Sequence, residues 1–155
     1  MEEATGKALG PTTTPAAKPP RIKPALVPIG NRWVISTGRW NDSLMADYLL
    51  DHCNGEWTKV GHLASVGCGA NTIPNKRRAR SRLSPLFMEL RSRGHFLAIR
   101  YDGDNGSASE VKIADLVSEE DRQNVMDKLR RMKKRKEMSE EQYEKTVALL
   151  HAKVC

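Results

Sequence analysis

Apolar side chains recur at helical spacing in the middle of the chain. The first such segment follows a polar start at Asp42 or Ser43, which predicts an N-cap, and it stops at Asn54 and Gly55. Its apolar positions are Leu44, Met45, Tyr48, Leu49 and Cys53. The second segment is shorter and carries Val60, Leu63, Ala64 and Val66. The pattern therefore predicts two amphipathic helices, the second one brief, before a glycine-rich turn over residues 67–71.

A third helix is predicted from position 74 or 75 to Arg93, where Gly94 stops it. Its apolar stripe consists of Leu83, Leu86, Phe87 and Leu90. Pro85 lies inside this segment, and proline removes one helical hydrogen bond and clashes with the preceding turn. The helix therefore either kinks at this point or restarts with Ser84 as cap and Pro85 as first residue.

Alternating and β-branched side chains predict short strands around these helices. One run at residues 32–36 precedes the first helix, and another at residues 56–58 lies between the first and the second. After the third helix, residues 95–101 alternate as a strand, residues 102–107 are rich in turn formers, and residues 110–113 form another strand. The last three segments predict a β-hairpin.

The predicted order is helix, short strand, helix, turn, helix and hairpin, over about residues 42–115. This order resembles the winged helix-turn-helix superfamily. The resemblance implies an α+β fold with three helices and a β-hairpin wing. In this mode of docking the third helix lies against the major groove of DNA, while the wing reaches the adjacent backbone. The resemblance therefore implies recognition of nucleic acid.

Two more amphipathic helices are predicted after the hairpin. Residues 118–121 and 139–142 form capping boxes, which mark the start of each helix. Met138 precedes the second box and can pack on Tyr143 as a hydrophobic staple. Since about three residues join the two helices, they should fold back on each other as an antiparallel hairpin.

The tail resembles the short C-terminal domain family called SHOCT from Val125 to Leu150. That family has a leucine-spaced helix, a turn, an acidic-capped start with an aromatic residue, and a closing pair of leucines. This chain departs from it at Lys136 and Glu137, where the family usually has glycine. The resemblance implies an appended oligomerisation or interaction module. Two narrow apolar stripes cannot exclude enough water alone, so they need another surface, either the body of the same chain or a second copy of the tail. We expect residues 117–155 to be a self-contained module that forms a homodimer. The predicted dimer residues are Tyr143, Val147, Leu150 and Val154.

Proline is frequent in the first thirty residues, which carry few large apolar side chains before Ile22. Such a segment buries too little surface to offset its conformational entropy, so we expect a disordered arm over residues 1–30. The pattern as a whole divides the chain into this arm, a winged-helix domain at residues 31–116 and a helical hairpin at residues 117–155.

Positive charge dominates the chain, with 26 Lys and Arg against 19 Asp and Glu and a net charge of +7 at pH 7. This balance favours a polyanionic partner. No acid lies between Lys76 and Glu89, which favours binding over a merely solvated helix face. The predicted nucleic-acid contacts are Asn75, Lys76, Arg77, Arg78, Arg80 and Arg82, with Arg100 and Lys112 supporting them at the wing.

A second basic patch ends the first tail helix. It consists of Arg130, Arg131, Lys133, Lys134, Arg135 and Lys136. Cations at that end suit the helix dipole, but six exceed what the dipole explains. The excess is consistent with contacts to backbone phosphate or, in a eukaryotic host, with a nuclear import signal.

Metal and catalytic sites have little support in the sequence. His52, Cys53, His62 and Cys68 lie close together, but their spacing matches no familiar zinc module. The glycine pair of the following turn lacks the third glycine and the Lys-Ser or Lys-Thr of a phosphate loop. No nucleophile lies beside an evident base and orienting acid. We therefore expect no enzymatic activity, no cofactor and no metal.

The compartment follows from absent signals and from cysteine usage. No stretch approaches the ~20 apolar residues needed to cross a bilayer, and a secretory signal is not evident. Three cysteines cannot form a closed disulfide set. We expect an intracellular, soluble protein without a membrane partner, cytoplasmic or nucleoid-bound in a bacterial or viral context and nuclear in a eukaryote.

Together these patterns predict a DNA-binding protein that recognises sequence or shape in the duplex and regulates transcription or replication. Two alternatives remain open. The same fold can serve as a protein-interaction adaptor in a larger polymerase, ribonucleoprotein or viral assembly. An arginine-rich surface suits RNA equally well.

Overall fold

The computed structural model describes residues 23–53, 55–102 and 106–154 and has an α+β fold, as the sequence predicted. The described residues form five β-strands, which are Leu26–Ile29 (β1), Arg32–Ile35 (β2), Thr58–Lys59 (β3), Leu97–Tyr101 (β4) and Ala108–Ile113 (β5). They also form six α-helices, which are Asp42–His52 (α1), Val60–Cys68 (α2), Ile73–Ser81 (α3), Leu83–Ser92 (α4), Glu119–Lys134 (α5) and Glu140–Val154 (α6). No helix in these ranges has the length and apolar character that crossing a membrane requires.

The strands form two antiparallel sheets. β1 pairs with β2, and Leu26 lies opposite Ile35. In the second sheet β5 lies in the middle, with β4 on one side and β3 on the other. Val111 of β5 therefore pairs with both Ile99 of β4 and Thr58 of β3. β4 and β5 confirm the predicted hairpin. β3 shares Thr58 with the short strand predicted before the second helix and extends one residue beyond it.

The arm predicted over residues 1–30 is corrected at its C-terminal end, because Leu26–Ile29 form β1. Residues 1–22 lie outside the described part of the chain. Pairing with β2 provides partners for the backbone of β1, and Leu26 packs against the core. Pro28 is tolerated because β1 has a neighbour on one side only, and an edge strand can lack a donor there.

One hydrophobic core joins the helices to the larger sheet. α1, α2 and α4 bury the stripes that the helical spacing predicted, and Leu49, Leu63 and Phe87 are fully buried. Phe87 meets Phe96 edge to face, with 6.4 Å between the ring centroids. Trp40 lies partly buried against this core. The first two predicted helices are therefore confirmed, but Asn41, and not Asp42 or Ser43, caps the first one.

The third predicted helix is two helices. α3 ends at Ser81 and α4 begins at Leu83, so Arg82 caps both. The break lies one turn before Pro85, because a proline ring clashes with the carbonyl four residues earlier, which belongs to Ser81. The break is therefore at Arg82 rather than at Ser84, and it separates the basic segment in α3 from the apolar stripe in α4.

The C-terminal helices share the central core instead of forming a separate module. Val125, Leu129 and Met132 of α5 are fully buried, and α5 packs along β4. Leu150 of α6 is also buried, with 1% of its surface exposed. The chain therefore does not divide into two cores at residue 117. This corrects the prediction of a self-contained tail, and the reason is that β4 offers the apolar surface that the stripe of α5 needs.

The residues predicted to form a dimer are mostly covered within the chain itself. Tyr143 and Val147 lie partly buried against the same core as Leu150. The side chain of Val154 lies outside the described residues. Since the stripe is covered by its own chain, exposed apolar surface no longer argues for a homodimer through it.

The capping boxes of the tail helices take the predicted places. Ser139 and Gln142 are reciprocal, because the Gln142 N–H donates to Ser139 Oγ at 3.1 Å and the Ser139 N–H donates to Gln142 Oε1 at 3.0 Å. At α5, the Asp121 N–H donates to Ser118 Oγ at 3.3 Å. The carboxylate of Asp121 does not return to the cap but accepts from the Asp115 N–H at 2.7 Å. This bond joins α5 to the end of the hairpin.

A backbone motif at Lys136 ends α5. Its φ is +60°, the only positive value at a non-glycine position in the described ranges. The Lys136 N–H donates to the Lys133 carbonyl at 3.1 Å, and the Glu137 N–H donates to the Met132 carbonyl at 2.8 Å. This pair of bonds is the Schellman motif, whose left-handed residue is usually glycine. Lysine is strained there because its Cβ crowds the backbone.

Candidate nucleic-acid interface

α3 is a helix that faces solvent and has one buried residue. Thr72 caps it by accepting a hydrogen bond from the Asn75 N–H at 3.2 Å. Pro74 fits the first turn, where a helix needs no backbone donor. Ala79 is the buried residue, and the helix as a whole packs on α2. Because one small side chain anchors α3, most of its basic side chains face outward.

Arg77 and Arg78 are the free cations of α3. Both side chains are exposed, and neither forms an ion pair with any residue that the structure describes. Each guanidinium therefore keeps its five N–H donors for solvent or for a ligand. This is the arrangement that phosphate recognition requires.

Lys76 and Arg80 line a groove of about 410 Å³ between α2, α3 and β5. Lys59 adds a third cation, and His62 lies on the α2 side. Arg80 is held in place because its Nε donates to the Ala108 carbonyl at 3.2 Å. The N-terminus of α2 opens on this groove without a side-chain cap and without an acidic residue in its first turn. Its unpaired N–H groups and dipole favour an anion.

We define the basic face as Lys76, Arg77, Arg78 and Arg80. Two other residues predicted to contact nucleic acid instead hold the ends of α3. Asn75 Nδ2 donates to the Ala70 carbonyl at 2.9 Å, which braces the turn before α3. Arg82 Nη2 lies 2.8 Å from Asp42 Oδ2 at the start of α1. Both residues therefore have partners within the fold, and their contact with nucleic acid stays a prediction.

The wing cations are also occupied. Arg100 lies over the ring of Trp57, 3.9 Å from its centroid, and forms ion pairs with Glu110 at 3.4 Å and Glu120 at 3.3 Å. Lys112 Nζ lies 2.9 Å from Asp121 Oδ2, and its side chain is 16% exposed. Both cations have these partners because the acidic first turn of α5 packs on this part of the sheet, and their support of nucleic-acid contact stays a prediction. Residues 103–105 of the predicted wing loop lie outside the described residues.

The second basic patch also contains cations that have partners within the fold and cations that form no ion pair in the described ranges. Arg131 lies over the ring of Tyr101 at 3.7 Å and pairs with Asp127 at 3.2 Å. Lys133 pairs with Glu140 at 3.0 Å. The members that are exposed and form no ion pair with a described residue are Arg130, Lys134, Arg135 and Lys136. Four of the six members of the patch therefore remain available.

The two basic runs meet in space. Arg80 of α3 and Arg135 at the end of α5 line the same cavity, of about 250 Å³, together with Lys128. The two runs lie far apart in the sequence and were predicted as separate patches. Lys128 was not predicted, because its position on the buried side of α5 has no local signature. The fold therefore extends the basic face toward the C-terminal end of α5.

The histidines and cysteines do not assemble into a metal centre. In the described ranges, no group of three or more His, Cys, Asp or Glu side chains is placed to hold a metal ion. His62 Nε2 lies 2.5 Å from the hydroxyl of Tyr48, and burial raises the pKa of Tyr48 to about 12. Burial also raises the pKa of the thiols of Cys53 and Cys68. The thiolate form that acts as nucleophile and metal ligand is therefore disfavoured in both.

Comparison with known proteins identifies no relative. No family model, no curated protein and no solved structure matches the chain. Any function must therefore be inferred from the charge and geometry of the basic face and of the two cavities beside it.

Proposed function

We propose that this chain is a winged-helix protein that binds duplex DNA through the basic face and regulates transcription or replication. The observation that carries the proposal is the exposure of Arg77 and Arg78 without a counter-ion in the described structure. Like charges four residues apart, as in Lys76 and Arg80, destabilise a helix by about 0.2–0.5 kcal/mol per pair. A bound polyanion relieves that repulsion. Each phosphate contact also releases condensed counterions, which favours binding.

The order of elements supports the winged-helix assignment. α1, β3, α2, α3 with α4, and the hairpin of β4 and β5 follow one another as the resemblance expects. Residues 69–72 form the turn between α2 and α3, with Gly69 in the left-handed conformation at φ +91°. A helix presented after such a turn suits the major groove.

The charges predict the strength of the salt dependence. The four cations of the basic face and Arg135 together offer five cationic contacts to phosphate. At about 0.9 for each contact, the slope of log affinity against log salt should approach −4.5 for duplex DNA. Arg82, Arg100 and Lys112 should add little, because partners inside the fold hold them.

The test compares two double variants that lose the same net charge. Arg77→Ala with Arg78→Ala should reduce the magnitude of the slope by about 1.8, which corresponds to two lost contacts. The control combines Arg32→Ala on β2 with Lys153→Ala near Gly94 at the far end of α4, both exposed positions. Its slope should equal that of the wild type. Equal slopes in the two variants would show that overall charge, and not α3, determines binding.

Duplex DNA, duplex RNA and single strands should be titrated in parallel. Tighter binding to duplex DNA is the expected result. A preference for either RNA form would support the RNA-binding alternative instead. An adaptor would show no steep salt slope with any of the three, because its partner is a protein surface.

A further inference from the structure

The cavity of about 250 Å³ lies where α3, the turn end of the hairpin and α5 meet. Arg80 comes from α3, Lys128 and Arg135 come from α5, and Tyr101 and Ser107 come from the hairpin. No carboxylate is among its described lining residues, which otherwise supply small or apolar groups. Three cations from two separate elements therefore converge on one polar space.

Lys128 is the unusual member of this set, because its side chain is buried with 5% of the residue exposed. Its Nζ donates to Ser84 Oγ at 2.8 Å, and Ser84 Oγ donates to Glu137 Oε1 at 2.8 Å. Lys128 forms no ion pair with any described residue, so a carboxylate reaches it only through Ser84. Burial lowers the pKa of Lys128, Glu137 opposes that effect, and the charges of Arg135 and Arg131 reinforce it. A buried cation in this setting is stabilised by an added anion.

We propose that this cavity binds one phosphate group of the nucleic-acid backbone, held by Arg80, Lys128 and Arg135. The proposal rests on the function proposed above and names a specific contact for it. A phosphate accepts several charge-assisted hydrogen bonds at once, which suits a cavity lined by Arg and Lys. The cavity is smaller than the ~300–1,000 Å³ of drug-sized ligand sites, so one anionic group fits it better than a whole nucleotide.

The position of Arg80 explains how the site joins the main interface. Arg80 lines both this cavity and the groove at the N-terminus of α2. A backbone that follows the basic face therefore passes from the groove to the cavity. The end of α5 then becomes part of the DNA-binding surface, although the sequence placed it in the tail.

The first arm of the test uses inorganic phosphate and no nucleic acid. Thermal unfolding of the full chain is followed as phosphate replaces chloride at constant ionic strength. At ten times its dissociation constant, phosphate should raise the unfolding midpoint by about 4 °C. Arg135→Gln should lose most of this shift. Arg32→Gln is the matched control, because Arg32 is exposed on β2 and does not line the cavity. Equal shifts in both variants would overturn the site.

The second arm measures binding to duplex DNA at several salt concentrations. Arg135→Gln should reduce the magnitude of the slope by about 0.9, whereas Arg32→Gln should leave it unchanged. If neither the wild type nor the variants bind nucleic acid, but the rise of the unfolding midpoint with phosphate still depends on Arg135, the proposed function fails. The cavity then binds a free phosphate compound. If DNA binds with the same slope in both variants and the phosphate shifts are equal, the cavity proposal fails while the basic face stands.

Discussion

Replacing Gly67 with alanine should destabilise the protein, although glycine to alanine in a helix normally stabilises by about 1 kcal/mol. Gly67 is buried within α2. A Cβ at this position would lie 2.6 Å from Cε3 of Trp40 and 3.3 Å from Sδ of Met45. Carbon atoms in contact lie about 3.5–4.0 Å apart, so the indole must move by roughly 1 Å.

The indole of Trp40 is not free to move. Its Nε1 donates to Asp42 Oδ1 at 2.7 Å, and Asp42 Oδ2 accepts from Arg82 Nη2 at 2.8 Å. Overpacking costs about 1–3 kcal/mol, and a lost hydrogen bond costs about 1 kcal/mol. Against a helix-propensity gain of about 1 kcal/mol, the net loss should be about 1–3 kcal/mol. The cap between α3 and α4 should loosen with it, because Arg82 shares the same carboxylate.

Gly61→Ala in the same helix is the control. Its Cβ would meet Nδ2 of Asn71 at 2.7 Å, but Asn71 is an exposed side chain that can rotate away. This variant should be more stable than the wild type by up to about 1 kcal/mol. Urea unfolding of both variants measures the contrast, and in a Trp40→Ala background Gly67→Ala should become stabilising. The reasoning is refuted if Gly67→Ala alone is as stable as the wild type.

Three further predictions concern stability. Lys136→Gly should raise the free energy of unfolding by about 1 kcal/mol, because glycine is relaxed at φ +60°. Arg130→Gly, at an exposed position inside α5, should lower it by a similar amount, and thermal unfolding of both variants measures the contrast. Burial raises the pKa of Tyr101 to about 12 from 10.0. The folded state therefore holds this proton more tightly, and the stability that depends on it is complete below pH 10 and is lost as the pH rises toward 12. The free energy of unfolding of Tyr101→Phe, measured in urea, should fall less between pH 9 and pH 11.5 than that of the wild type. An equal fall in both proteins would contradict the raised pKa of Tyr101. Ser84→Ala should lower the free energy of unfolding by about 1–3 kcal/mol, because it leaves the ammonium of Lys128 without its acceptor. In a Lys128→Met background the same substitution should lose this cost, and a double-mutant cycle in urea measures the difference.

Local sequence patterns predicted much of the fold. The apolar stripes of α1, α2 and α4, the hairpin, and the reciprocal box of Ser139 and Gln142 each depend on residues within a few positions of one another. Pro85 predicted a break in the helix. The break lies at Arg82 because the proline ring clashes with the carbonyl of Ser81. Strand β1 was missed because four residues with an internal proline give too short an alternation.

The sequence by itself determined that this chain has a basic segment and where that segment begins, because charge and periodicity are properties of neighbouring residues. Only the tertiary structure decided which cations are free. Arg82 forms an ion pair with Asp42 of α1, and Lys112 forms one with Asp121 of α5. Both pairs join segments that are separated in the sequence. The same packing buries the stripe of α5 and brings Arg135 beside Arg80. Spacing along the chain does not encode such pairs, since they exist only after β4 has offered α5 a surface on which to pack.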